Sequence, residues 1–316
     1  MASATLQFSK ERKEESQLIG RVSRIVIYPV KGAGRIELRK ANITPQGIDF
    51  DREYMVVRGK SDEQSVHEFI TQRDKKDASS AEPQGMSVLA LIRPQLTSNG
   101  LSLTWNGNDK IEIARDQQGA ELRVSIHQQI TSAMDQGRMI EGWLSEHLKT
   151  HAKLVKAAGS FFRAADQDYY PNGNTLRFQD GYPVHWFMED SVSELSGRVG
   201  KVMSWTRFRP NIVVIGGEAG SEHLVHAGSI GDVPFLDPKP CGRCPVTMVD
   251  QKTGKVIMPE PLRTLAKYKS WISKNGNRKV IFGENMLPVG GGEIHLMDPV
   301  TINRLRDPPL VYGASV

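Results

Sequence analysis

From residue 21, the run RVSRIVIYPV alternates apolar and polar positions and is rich in β-branched side chains, which is the two-residue period of a half-buried strand. KGAGRIEL resumes the pattern after its glycines, so two strands joined by a turn are expected. EYMVVR, SVLALIR, LSLTW and IEIA read as further strands, the last two flanking Asn106-Gly107, a dipeptide suited to a tight hairpin. Between 139 and 148, Ile140, Trp143, Leu144 and Leu148 fall at helical spacing and predict one amphipathic helix. The first part of the chain is therefore expected to be mostly antiparallel β.

Residues 159–183 lack any period and carry Gly, Asn, Asp and Tyr-Tyr-Pro, as a linker or access loop would. After them come a helix capped near Asp190 with Val192, Leu195 and Val199 on one face, and a strand NIVVI. PVTMV, which follows Cys244, also reads as a strand. PLRTLAKYK predicts a short helix with Pro261 in its first turn, and KVIF, EIHLM and VTI supply closing strands. The pattern divides the chain into a flexible segment 1–20, a β-rich domain 21–158, the linker 159–183, a second domain 184–306 and a tail 307–316. The fold class is α+β, mainly β.

Composition narrows the function. The 316 residues are 39% hydrophobic in short runs, below the roughly 20 apolar residues that cross a bilayer. No membrane association and a cytoplasmic location are expected, since the first residues also lack an apolar leader. The net charge of +5 is too scattered for a nucleic-acid footprint and suits an anionic small ligand. A monomer is the default expectation.

The only two cysteines, Cys241 and Cys244, form CGRC. A CxxC serves as a redox dithiol, as half of a zinc site, as buried structural thiols, or through one thiolate as a ligand of a soft redox metal. The HxxH of His223 and His226 would have to supply the rest of a zinc site, in an unusual order. Lys31, Arg52, Arg73, Arg207 and Arg209 are scattered cations that would grip an anionic cofactor if the fold gathers them, and are otherwise surface charges. Asn211 is placed either to bond a ligand or to cap the FRP turn. Asp180, His185 and Asp250 are acid/base candidates only by proximity to these motifs.

YPVKG, DREYMVV, FRPNIVV, CGRC with a following KTG, EPLRTLAKYK and FGEN occur in this order between about Val22 and Ile302. The series resembles the MOSC-domain family, in its two-part form with an N-terminal MOSC β-barrel domain before the MOSC domain, as in the amidoxime-reducing proteins. The resemblance implies two packed β-barrel units with a few short helices, and a molybdenum cofactor (Mo-molybdopterin) bound between them. It implies Cys244 as the molybdenum ligand and the catalytic residue. Lys31 and Arg52 match phosphate-contacting positions, and Arg209 and Asn211 match the pair lining the cofactor. Arg73 is a further cofactor-binding candidate, and Ser191, after the helix-opening MED, matches a region that approaches the cofactor. Gly32 stands where the family often has serine, so that a backbone amide replaces a hydroxyl contact.

The activity implied is an oxidoreductase that reduces N-hydroxylated or N-oxygenated small molecules, with the oxygen leaving as water and electrons arriving from a separate donor protein. Amidoxime-reducing relatives carry a membrane anchor that is not expected here, and two cysteines exclude a built-in iron–sulfur domain. The alternative is a cofactor carrier or sulfur-transfer module, since MOSC domains also end the molybdenum-cofactor sulfurases. A zinc-stabilised β-protein without catalysis is the third reading.

Overall fold

The computed structural model describes residues 16–60, 65–74, 85–158, 161–165, 175–307 and 310. The first half holds β1 (Gln17–Ile27), β2 (Val30–Lys31), β3 (Ile36–Leu38), β4 (Lys40–Thr44), β5 (Gly47–Ile48), β6 (Tyr54–Arg58), β7 (His67–Glu68), β8 (Ile92–Thr97), β9 (Gly100–Trp105), β10 (Asn108–Ala114), β11 (Glu121–Ile126) and β12 (Gln129–Asp135). Helix α1 (Arg138–Leu148) and β13 (Ala152–Ala157) complete it.

One sheet runs β2-β6-β13-β12-β11-β7, and the bridge from Phe69 to Val57 returns its far edge to β6. A barrel-like ring results. Antiparallel pairing dominates, with β2–β6 and β7–β11 parallel. Asn106 and Gly107 take φ of 50° and 87°, the left-handed pair that joins β9 and β10. Helix α1 buries the four residues its period predicts, Ile140, Trp143, Leu144 and Leu148.

The SVLALI run departs from its predicted strand, because Gly85–Leu91 form a 3-10 helix. A continuous apolar run does not separate strand from helix by period. Here Met86 and Leu89, and beside them Ser87 and Ala90, are fully buried at three-residue spacing, so the inner side of a 3-10 turn carries the core.

The second half holds β14 (Val184–Met188), α2 (Glu189–Val199), β15 (Ile212–Ile215), β16 (Val225–Ile230), β17 (Val233–Gly242), α3 (Leu262–Tyr268), β18 (Ser270–Ile272), β19 (Arg278–Pro288), β20 (Gly292–His295) and β21 (Pro299–Leu305). Strands β14-β15-β1-β21-β16-β17-β19 follow one another, and β19 pairs back onto β14, closing a seven-stranded barrel. Its interior is filled by Val22, Ile25, Trp186, Met188, Phe235, Met286 and Val300.

The strand from the start of the chain is thus part of the later barrel wall. Gln17 and Leu18 pair with Ile302 and Thr301, which orders the strand four residues earlier than residue 21. Local composition does not report that pairing; residues 1–15 of the expected flexible segment lie outside those described. In return β20 pairs with β4, tying the end of the chain to the first half.

Met188, not Asp190, is the N-cap of α2, and Asp190 sits in the first turn. PVTMV also departs from expectation, since Pro245–Met248 form a 3-10 turn. Pro245 fixes its own φ at the first position, and Thr247 donates to the Cys244 carbonyl from both its amide and its hydroxyl. Among the described residues no helix is long and apolar enough to cross a membrane.

Candidate functional site

A cavity of about 610 Å³ opens between the two halves and is lined by Lys31, Gly32, Arg52, Arg73, Arg209, Asn211 and Cys244. Seven of the eight sequence-predicted site residues are brought together there.

The floor is built on Tyr28. Its buried ring lies between two guanidiniums, Arg52 at 4.4 Å and Arg209 at 4.1 Å from the ring centre. Burial pushes the Tyr28 phenol up to about 12 against the pull of both arginines, so it stays neutral. Both arginines have positive φ, 48° and 53°, which turns their side chains from neighbouring loops toward one place. Arg52 Nη1 donates to both carboxylate oxygens of the fully buried Asp51 at 2.6 and 2.7 Å. Arg209 Nη1 donates to Ala33 O at 2.8 Å and to Gln251 Oε1 at 3.0 Å. Burial first, offset by Tyr28 and reinforced by Arg52, brings Arg209 down to about 10, which leaves it charged at neutral pH.

Gln251 and Gln72 stitch the halves together. Gln251 Nε2 donates to Gln72 Oε1 at 2.8 Å, and Gln72 Nε2 donates to Gly32 O at 2.6 Å. Gly32 has φ of 85°, within the range glycine tolerates.

Lys31 Nζ donates to Phe178 O at 2.8 Å and to the Asp180 carboxylate. Burial lowers the ammonium's pKa, and Asp180 partly restores it. At Asp180, partial desolvation works against ionisation, but Lys31 and His127 outweigh it and hold the carboxyl well below its usual range. Arg163 fixes this loop by donating to the carbonyls of Arg177, Gln179 and Asp180.

On the opposite wall, β17 ends in CGRC. Arg243 Nη1 reaches Cys241 Sγ at 2.9 Å while Nη2 donates to Phe208 O at 2.8 Å. Burial pushes the Cys241 thiol up, and Arg243 opposes it. Cys244, at the N-cap of the 3-10 turn, is half-buried, and its sulfur has no hydrogen-bond partner among the described residues. His185 stands beside them, its Nε2 3.3 Å from Arg243 Nη1 and 3.2 Å from Phe282 O. Burial and then Arg243 hold its pKa well below the ordinary value, so the ring is neutral. Gly283 makes room for it: a Cβ there would lie 2.7 Å from Nε2 and 2.6 Å from Trp186 O.

Other expectations meet different outcomes. Asn211 borders the cavity, but its Oδ1 accepts from the His185 amide and its Nδ2 donates to Val26 O, so the side chain ties β14 to β1. Ser191 lies outside the cavity. It is buried on α2, bonded to Glu222 and to the Gly220 amide, because the MED turn aims its hydroxyl at the 3-10 turn over Ser221–Leu224. Arg207 is also outside, donating to Met248 O and Asp250, while Asp250 caps the turn at 252–253.

His223 is sealed in a separate cluster, its Nδ1 2.6 Å from Glu284 Oε1. Among the described residues no three His, Cys, Asp or Glu side chains converge as metal ligands.

Sequence reasoning missed Tyr28, Asp51, Gln72 and Gln251. Asp51 sat in DREYMVV immediately beside Arg52, the cation it holds, and that adjacency was the available signal; Tyr28 sat inside YPVKG, but the guanidiniums over its ring come from other segments.

Residues 19–151 match the MOSC N-terminal beta barrel domain and residues 173–301 match the MOSC domain. Mitochondrial amidoxime reducing component 2 of Rattus norvegicus is 30% identical over 273 residues, covering 82% of this chain and 75% of the rat protein. Mitochondrial amidoxime-reducing component 1 of Homo sapiens is 26% identical over 322 residues, 96% of this chain and 86% of the human one. Molybdenum cofactor sulfurase of Drosophila melanogaster is 29% identical over 265 residues, which are 81% of this chain and 31% of the fly protein.

Proposed function

The chain belongs to the MOSC-domain family, in its two-domain form, and from that premise we propose that it binds a molybdenum cofactor and reduces N-hydroxylated or N-oxygenated small molecules. One observation carries the reading: Cys244, whose sulfur has no hydrogen-bond partner among the described residues, lines the same cavity as a set of fixed cations. The donor set fits the group. A soft thiolate suits molybdenum, while Lys31, Arg52 and Arg209 suit a phosphate, and 610 Å³ lies within the size range of ligand and cofactor cavities.

When bound, the cofactor supplies the two-electron centre at which the oxygen of an N–O bond is removed as water. The chain's own residues bind and orient. Cys244 would hold the metal, and Arg52 and Arg209, already anchored through Asp51, Ala33 and Gln251, would meet the phosphate without reorganising. Lys31 has three N–H donors, and among the described residues Phe178 and Asp180 engage two, so one is left for a ligand. Neither His185, held neutral, nor Asp180, held ionised, is a proton donor at neutral pH. The two protons of the reduction are drawn ultimately from solvent, and the two electrons from a separate donor protein.

The sulfurase relatives favour a second reading, a carrier or sulfur-transfer module. Metal analysis and benzamidoxime reduction with an artificial reductant separate the two. The reductase reading expects near-stoichiometric molybdenum and turnover. Replacing Cys244 by Ala is expected to lower turnover at least about 1,000-fold, roughly 4 kcal/mol of transition-state stabilisation, whereas Cys241→Ala retains most of it. Molybdenum without turnover would leave the carrier, and equal loss from both substitutions would overturn the single-ligand site.

A further inference from the structure

Seven Lys and Arg side chains line the cavity against one carboxylate, Asp180, and the floor uses only some of them. Lys31, Arg52 and Arg209 are bonded at the phosphate end, and Arg243 is bonded to Cys241 and Phe208 O. The β18–β19 hairpin contributes residues to the same cavity as the two cysteines. Trp271 pairs directly with Lys279 across that hairpin, so both side chains leave the same face, and both line the cavity. The Lys279 stem lies over Gly242, between the two cysteines in sequence: a Cβ built on Gly242 would be 3.4 Å from Lys279 Cδ. Lys279 is exposed and has no ion pair among the described residues. Lys239, over the Tyr182 ring at 5.3 Å, adds a second positive charge to the same cavity.

Resting on the reductase reading, we propose that Trp271 and Lys279 form a subsite that selects planar substrates carrying an anionic group, with the indole stacking on the ring and the ammonium pairing with a carboxylate. A planar ring on Trp271 gains dispersion and excludes water, and a carboxylate on its far edge meets a charge that the protein leaves unpaired. A substrate with a cationic substituent meets Lys279 and Lys239 and is disfavoured by the same charges.

Binding of amides that are not reduced tests the subsite independently of turnover. Calorimetry on the full chain as purified compares 4-carboxybenzamide, benzamide and 4-(aminomethyl)benzamide. The carboxylate is expected to bind about tenfold tighter than benzamide, with the advantage shrinking between 50 and 300 mM salt. Lys279→Gln removes that advantage and leaves benzamide unchanged, Lys279→Glu transfers it to the aminomethyl compound, and Trp271→Ala weakens all three.

Equal binding of the three amides by the wild-type chain, or a carboxylate preference that survives Lys279→Gln, overturns the subsite. The salt dependence of the wild-type chain gives the answer even if a variant does not fold. Loss of benzamidoxime reduction with the binding preference intact would fell the reductase reading alone. Reduction without the preference would fell the subsite alone.

Discussion

Among the described residues, two of the clusters of charged groups were each flagged by a short motif. CGRC lies at the cavity, while the HxxH of His223 and His226 leads to a cluster sealed at the barrel. In the sealed cluster Asp237 and Glu284 are fully buried, Trp186 Nε1 donates to Asp237, and Arg306 donates to Glu284 Oε2 at 2.7 Å and to the carbonyls of His223, Val225 and Asp237. Its charges are engaged by protein. At the cavity the Asp180 side chain is 78% exposed, and among the described residues one Lys31 donor remains and the Cys244 sulfur has no hydrogen-bond partner. A motif becomes a binding site only where the fold leaves its donors unmet and its approach open; where the carboxyls and the guanidinium engage one another, the same residue types hold the structure together.

Matched substitutions put that difference to its hardest test. Arg306→Met keeps the stem and deletes the guanidinium donors, leaving the buried Glu284 carboxyl and three carbonyls without them; unfolding by denaturant is expected to show a loss of about 3–5 kcal/mol, since each buried acceptor left unmet costs about 1–3 kcal/mol. Lys31→Met deletes a cation whose carboxylate partner is open to solvent, so stability should fall by about 1 kcal/mol or less while molybdenum content drops. Equal stability losses for the two would erase the distinction between the regions.

Ser191 sharpens it at the next magnitude. The resemblance placed this residue near the cofactor, yet its hydroxyl bonds the buried Glu222 at 2.8 Å and accepts from the Gly220 amide at 2.9 Å. Ser191→Ala is therefore expected to cost about 2 kcal/mol of stability and leave molybdenum content unchanged. Metal loss in a variant that keeps its stability would return Ser191 to the site.

Elements with a clean period were legible in the sequence: α1 buries its four predicted residues, and Asn106-Gly107 makes its turn. SVLALI and PVTMV were not. Their apolar runs carry no period that distinguishes strand from 3-10 turn, and what decides them is distant, such as Ser87 donating to Gly254 O. The insertion of β1 between β15 and β21 was invisible for the same reason. At the site, charged residues inside motifs were legible. The commitment of Asn211 to backbone and the Gln72–Gln251 pair were not, because they depend on segments 26 and 179 residues apart meeting in space.

The smallest effect separates the regions by pH. His185 at the cavity and His223 in the sealed cluster both have pKa values held well below the usual value, chiefly by burial, with Arg243 next at the first and Lys269 and Arg306 at the second. As pH falls below about 6.5, the unfolded chain takes up these protons and the folded chain does not, so each histidine removes up to about 1.4 kcal/mol of stability per pH unit. Asp237 and Glu284 act with opposite sign, since burial raises both and their folded carboxyls keep protons that the unfolded chain releases above about pH 4. Differences between variants isolate each histidine from that background. Denaturant unfolding at pH 7.5, 6.5 and 5.5 should show a shallower acid loss in His185→Gln than in wild type. Phosphate in the cavity should shrink the same share, because an anion beside His185 favours its charged form. His223, screened from the cavity by the barrel wall, should keep its share with or without phosphate, and a phosphate effect of equal size on both histidines would mean that the second cluster is not sealed.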